Sequence, residues 1–424
     1  MADSDDNKKD PRPSLSNILQ DYVDETISCS KKVLQWHQEK ILNRVVNPIL
    51  SLIGDFDDRF HAQLLNAGSC YVGLLHSKPY EFDAVVKLPH LTSNKALGPG
   101  DDFPRPTSFF IDSSSCDNPY VNKLPGFGYL VVNEDKTLLH NLLSDRDDVV
   151  NSDKILEKES FVCPKKVMSV FYKSIQRAVQ VLEEKQWWEE EPSVFEVKVK
   201  KQDPSVTVTA FLTGEVFTVH LLPGIPFSDN WPETLKQWGP STAVRPNAWL
   251  TSLRMREVME DFVVFPGQSP ADEDPRLWAM CFYYSEKKLC KAAEQQSTHT
   301  IHKEARLALE ALCVENEEAF YPINPRILRI IFLHQCMQFP HEEDWLQKKL
   351  GRAFVDLFLA VISATKSRDC PHFFIPTLNM FGNFRRSDLK QVSRHLRAIL
   401  NNILENPEKS NFFPKRRKVK KVAL

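Results

Sequence analysis

Apolar residues spaced three, four and seven apart dominate the start of the chain. Ile18, Leu19 and Tyr22, then Val33, Leu34, Ile41 and Val45, mark one helical face from Leu15 to about Val46, with no Gly or Pro between them. A helix this long and this early predicts a spine. Asn47-Pro48 then reads as an N-cap followed by proline at the first helical position, opening a second helix to Ile53 or beyond. At "EFDAVVKLP" the period changes to two, which predicts a strand with Glu81 and Asp83 on one face. Residues 90–120, rich in Pro, Gly and Ser, predict a long loop, and "FGYLVVN" (126–132) a further strand. "CPKKVMSVFYKSIQRAVQVLEEK" (163–185) predicts an amphipathic helix opened by Pro164. "VFEVKVKK", "SVTVTAFLT" and "EVFTVHLLPGIPF" follow as three strands with turn signals between them.

The second half is patterned as helices. "RLWAMCFYYSEKKLCKAAEQ", "THTIHKEARLALEALCVENEEAF", "NPRILRIIFLHQCMQF", "WLQKKLGRAFVDLFLAVISAT" and "SDLKQVSRHLRAILNNILEN" each carry the helical period. The expected class is α+β, with helices flanking a mostly antiparallel sheet and a helical lobe behind it. The expected division is a polar arm over 1–13, a core with its spine helix over 14–265, a helical lobe over 266–408 and a basic tail over 409–424.

Composition narrows the class. The chain is 42% hydrophobic and 26% charged, with a formal net charge of -2, as in a soluble globular protein. No run of about 18 apolar residues occurs, so no membrane span is expected. "MADSDDNKKDPRPS" has no apolar signal core. Nine scattered cysteines without a C-x-x-C pair fit reduced thiols, so the expected location is the cytoplasm or the nucleus. Near-neutral net charge leaves any nucleic-acid partner to be decided by local charge.

The candidate chemistry lies around the two strand carboxylates. Acids at i and i+2 point the same way and can share divalent metal, Mg²⁺ or Mn²⁺, as phosphoryl-transfer enzymes require. The preceding Gly68-Ser69 turn offers backbone N–H groups and a hydroxyl to a triphosphate. The plain alternative is a charged strand end facing solvent.

"LLNAGSCYVGLLHSKPYEFDAVVKLP" resembles the start of the catalytic core in the cyclic GMP-AMP synthase family of nucleotidyltransferases, the male-abnormal-type domain. The resemblance continues in order through "FTVHLLPGIPF", Trp231-Pro232, "NAWLTSLRMREVMEDFVVFP", "LHQCMQFPHEEDW" and "HFFIPTLNMFGN", and covers roughly residues 15–405. It implies a nucleotidyltransferase-fold core with a long spine helix and a C-terminal helical lobe. It also implies ATP and GTP as substrates or ligands, and a cyclic dinucleotide product acting as a second messenger in innate immunity. A double-stranded RNA or DNA bound on the spine would be the trigger, with Lys40, Arg44, Lys166, Lys173 and Arg177 as candidate phosphate contacts and a homodimer forming on the ligand.

The chain also departs from the family pattern. His220 stands where the third acid belongs, next to Glu81 and Asp83 in the expected site. Ala279 and Cys281 replace Arg and Ser, whereas Glu286 and Lys287 fit. Pro325-Arg326 stands where the family has Ser-Tyr against the base, so the Arg326 plane is the remaining stacking surface. Cys290, His299, His302 and Cys313 do not have the spacing of a zinc thumb, and no structural zinc is expected. "PKRRKVKK" carries six positive charges, a nuclear-import candidate or a solubilising tail. Three readings stay open: a metal-dependent cyclic dinucleotide synthase, a catalytically lapsed nucleotide-binding or protein-interaction scaffold, and a structural developmental factor.

Overall fold

Alternation with a period of two assembles the centre of the protein. The computed structural model describes residues 12–24, 39–65, 80–92, 107–110, 125–132, 139–144, 160–189, 194–212, 214–227, 262–267, 275–295, 301–339, 350–408 and 412–413. Nine strands are described: β1 Gln63–Leu65, β2 Glu81–Lys87, β3 Thr107–Phe110, β4 Phe127–Val132, β5 Val194–Gln202, β6 Ser205–Leu212, β7 Glu215–Phe227, β8 Phe262–Phe265 and β9 Leu277–Cys281. They form one sheet in the order β1-β2-β7-β8-β9-β4-β3, with β6 also on β7 and β5 on β6. β2 and β7 run parallel, with Asp83 opposite His220, and the other pairs are antiparallel. β7 is therefore the common strand, held by β2 and β6 over its first part and by β8 over its last three residues.

Each strand has two faces with different work. Phe82, Ala84 and Val86 of β2 and Phe217, Val219 and Leu221 of β7 enter the main core. There they join Ile49 and Ile53 of α2 (Asn47–Phe56) and Phe171 and Ile175 of α3 (Pro164–Glu184). The opposite face carries Glu81, Asp83, Val85 and Lys87.

The spine is described at its two ends. α1 (Arg12–Asp21) starts inside the expected polar arm and buries Leu15 and Leu19. Residues 25–38, with Lys31 and Lys32, lie outside the described residues. The expected N-cap role of Asn47 is corrected. Asn47 is itself helical (φ -60°, ψ -43°), and the chain passes through a π-helical turn, Leu42–Val46, straight into α2. Pro48 is the cause. Its ring would meet the Arg44 carbonyl in an unbroken α-helix, and the wider turn, closed by Asn47 N–H on Leu42 O, makes room. The Arg44 carbonyl then accepts from Trp187 Nε1 at 3.3 Å instead.

Two further expectations change. The 90–120 region contains strand β3, paired to β4, where a loop was expected. The segment from Arg276 is not helical throughout: Leu277–Cys281 is β9, and the helix α4 runs Tyr283–Gln295. Trp278 is fully buried and donates from Nε1 to Val162 O at 2.9 Å. The sheet thus extends beyond residue 265.

The helical lobe is built by α5 (Ile301–Glu315), α6 (Pro325–Gln338), α7 (Leu350–Ser367) and α8 (Arg386–Glu405), with a single turn at Glu317–Phe320. α6 is capped by Asn324, whose side chain accepts from Ile327 N–H at 3.0 Å. Inside the lobe, buried Glu310 accepts two bonds from Arg306 Nη1 at 2.9 Å each and faces Arg329 Nε at 3.7 Å. None of the described helices is long and apolar enough to cross a membrane.

Candidate nucleotide site

The parallel register of β2 and β7 places the expected site residues together. Alternation puts Glu81 and Asp83 on the face away from the main core, and Asp83 pairs in register with His220. His220 Nε2 lies 3.2 Å from Glu81 Oε1. Its Nδ1 lies 3.0 Å from Thr207 Oγ1, the residue opposite it on β6. Thr207 Oγ1 also lies 3.2 Å from Gln202 Oε1. A carboxylate only accepts, so Nε2 carries the hydrogen. Nδ1 then either accepts from the threonine hydroxyl or, in the imidazolium form, donates to it while Thr207 donates to Gln202. In both arrangements the nitrogen nearest the acids has no lone pair to offer.

That geometry decides how well the site suits divalent metal. Glu81 and Asp83 are oxygen donors of the right kind, on one face. The third position is an imidazole whose N–H already occupies one of Glu81's oxygens. Mg²⁺ demands oxygen ligands in octahedral geometry. No group of three or more His, Cys, Asp or Glu among the described residues is placed to hold a metal. Among the described residues the donor set, two carboxylates and an imidazole, does not fit a two-metal phosphoryl-transfer centre.

Beyond the acids, the same face is apolar and then aromatic. Val85, Leu65, Val263, Phe265 and Cys281 form a second buried cluster, with Leu222, Tyr283 and Tyr284 packed on it. Burial pushes the Cys281 thiol up to about 12, so it is an inert thiol there. Cations lie over both tyrosines: Lys87 and Lys288 over Tyr284 at 5.6 and 4.6 Å, and Arg326 over Tyr283 at 4.7 Å. The sequence reading missed Tyr283 and Tyr284, because "FYY" lay in a segment read as one helix. The break before Tyr283 is what turns them onto the site face.

The expected nucleotide contacts divide. Gly68 and Ser69 lie outside the described residues, as do Trp231 and Pro232. Lys287 is half-buried on α4. Arg326 is 29% exposed at its side chain and reaches Glu286 at 3.5 Å while lying over Tyr283. Glu286 has another role than contacting a ligand. It is fully buried, with His372 Nε2 also 3.5 Å away. His372 Nδ1 accepts from Phe374 N–H, so Nε2–H faces the carboxylate. Burial alone would raise this carboxyl; Arg326 and His372 outweigh it and bring it down to about 2. Cys290, His302 and Cys313 are buried in α4 and α5, and His299 lies outside the described residues.

The expected nucleic-acid contacts divide as well. Lys173 and Arg177 are exposed on α3, and Arg177 lies 4.3 Å over the Phe56 ring. Lys40 and Lys166 are half-buried. Arg44 is turned inward instead: 9% exposed, it lies 5.0 Å over the Trp187 ring and donates to Trp187 O. The signal was in the sequence, since Pro48 four residues on demands a partner for the Arg44 carbonyl.

Residues 70–292 match the Mab-21 protein nucleotidyltransferase domain, and residues 303–398 match the Mab-21 protein HhH/H2TH-like domain. A "Protein mab-21-like" of Anopheles gambiae is 21% identical over 366 residues, covering 85% of this chain and 86% of that protein. A "Protein mab-21-like" of Aedes aegypti is 22% identical over 256 residues, covering 59% of this chain and 65% of that protein. A nucleotidyltransferase-type sheet with an acid pair at its parallel seam, a helical lobe behind it, and a match to both domains place this chain in the Mab-21 family.

Proposed function

We propose that this chain is a nucleotide-binding member of the cyclic GMP-AMP synthase-like branch of the fold whose catalytic face has lapsed. It holds a purine nucleoside triphosphate as a ligand rather than turning it over. The observation that carries this reading is the His220 imidazole, fixed between Thr207 and Glu81 where an acid would serve metal chemistry. Tyr283 and Tyr284, with Lys87, Lys288 and Arg326 about them, supply aromatic and cationic groups suited to a base and its phosphates.

The test uses the purified chain with ATP and GTP, Mg²⁺ or Mn²⁺, and synthetic duplex RNA or DNA. Nucleotide binding is read by calorimetry and product by chromatography. Binding without cyclic dinucleotide is expected, and His220→Asp is expected to produce some. Efficient synthesis by the parent chain with Mg²⁺ would overturn the reading.

A second reading is favoured by one observation, the adjacency of positions 81, 83 and 220 on paired strands. On that reading the chain is a synthase triggered by a duplex lying along α3, with Lys173 and Arg177 among the phosphate contacts. Product that appears only with duplex, and is lost on Lys173→Glu, would select it.

A further inference from the structure

Away from the sheet, the helical lobe carries a hollow of about 400 Å³ between the C-terminal end of α7 and the outer face of α8. Six cations line it: Lys366 and Arg368 from the α7 end, and Arg386, Lys390, Arg394 and Arg397 from α8. The α8 residues recur at four, four and three, so they form one stripe, while Leu389, Val392, Leu396 and Ile399 hold the opposite side in the core. The stripe is ~16 Å long at the helical rise. Thr365 and Ser393 add hydroxyl-bearing residues to the lining.

Three features separate this hollow from an ordinary solvated helix face. First, no carboxylate lines it, and among the described residues none of the six cations has an ion-pair partner. Elsewhere on α7, Arg352 is paired with Asp356 at 2.9 Å. Six converging like charges raise the energy of the folded state unless an anion shares the space. Second, Arg368 sits at a helix C-terminus with φ 59°, a left-handed position that usually takes Gly. Asp369 N–H bonds Ala364 O at 3.2 Å, and Asn379 Nδ2 donates to Arg368 O at 2.9 Å, so the backbone that aims Arg368 is held from both sides. Third, α8 begins at this rim without a side-chain cap, so its positive end adds to the same field.

We propose that this hollow is a binding site for a compact ligand bearing several phosphate groups. Its volume suits a small molecule, and its cations converge from two helices on one space. A duplex spreads its phosphates along its axis, about one charge per 1.7 Å, and rides on a surface instead of entering a hollow of about 400 Å³, so a compact ligand suits this space better. Arginine forks and lysine ammonium groups together match clustered phosphate oxygens. A soluble polyphosphorylated molecule and a phosphoinositide headgroup share this chemistry. The site is separate from the nucleotide face and does not depend on the reading given for it.

The experiment titrates the full chain with inositol hexakisphosphate and with inorganic tripolyphosphate, by calorimetry at low and high salt. Saturable binding at one site per chain is expected. Lys390→Gln with Arg394→Gln should weaken it by about a hundredfold, since each of the two lost charge-assisted bonds is worth about 1.4 kcal/mol or more, a factor of about ten. Both positions are exposed on a long helix, and thermal unfolding checks that the variant is folded. Lys185→Gln with Lys200→Gln, which removes equal charge elsewhere, should leave affinity within about twofold. Phosphoinositide vesicles, against phosphatidylserine vesicles of equal charge, assign the source: retention points to a headgroup, its absence to a soluble ligand. No saturable binding, equal weakening by both variant pairs, or tighter binding of a duplex that needs Lys390 and Arg394 would each overturn the proposal.

Discussion

His220 stands beside the acid pair of β2, its ring held between Thr207 Oγ1 and Glu81 Oε1. The resemblance led to Glu81 as its neighbour, whereas Thr207, thirteen residues before it on β6, carried no signal in the sequence. Glu286 shows the opposite failure. Its position fitted the family pattern, yet it is sealed against His372 and Arg326, a pairing set by tertiary packing and invisible to local pattern. Because its folded pKa is brought below the ordinary 4.5 to about 2, its contribution is fully present above that ordinary value and is lost as the pH falls toward 2. Unfolding free energy measured against pH should therefore drop by about 3 kcal/mol more between pH 5 and 2 in the parent than in Glu286→Gln. Glu310→Ala strands two buried guanidinium groups, Arg306 and Arg329. It should cost about 3–5 kcal/mol in denaturant unfolding, far more than Glu196→Ala at an exposed pair.

Most strands and helices were legible from their periods, and the exceptions share a cause. β9 has both faces covered, by the second cluster and by the Trp278 contact, so its apolar run carries no alternation to separate it from the helix that follows. β3 is four residues long in a stretch rich in loop formers, and only its pairing with β4 makes it a strand. Asn47-Pro48 looked like a helix start because proline is at home there; the π-helical turn lets it sit mid-helix instead. That arrangement has Trp187 Nε1 donate to the Arg44 carbonyl in place of a helical N–H. Trp187→Phe should lose about 1–3 kcal/mol by leaving the Arg44 carbonyl short of a donor. Pro48→Ala should recover much of that loss, because the helix can then close its own bond. A double-mutant cycle by chemical denaturation reads this coupling.

Across the molecule, the ordered blocks of the sequence were enough for the α+β class, the helical lobe and the meeting of positions 81, 83 and 220, while the packing where β7 passes from β2 to β8 was not legible. Gly224 illustrates why. It is the last β7 residue paired with β2, immediately before the part held by β8, and a Cβ there would lie 2.3 Å from Val263 Cγ1 and 2.9 Å from Phe265 Cε1. Valine has little freedom to move aside in a closed ladder. Gly224→Ala should therefore destabilise the fold by about 1–3 kcal/mol in thermal or denaturant unfolding, and Gly214→Ala, with open space around its Cβ, should suffer only from its left-handed backbone. The tight joint at Gly224 has a mechanical corollary. α4 follows β9 directly along the chain, β9 is laddered to β8 and β8 to β7, and that last strand carries the imidazole at 220. Force applied to the lobe through α4 has no slack to absorb it before reaching the acids. To swing α4 away from the acid strand, one of these two ladders would have to break.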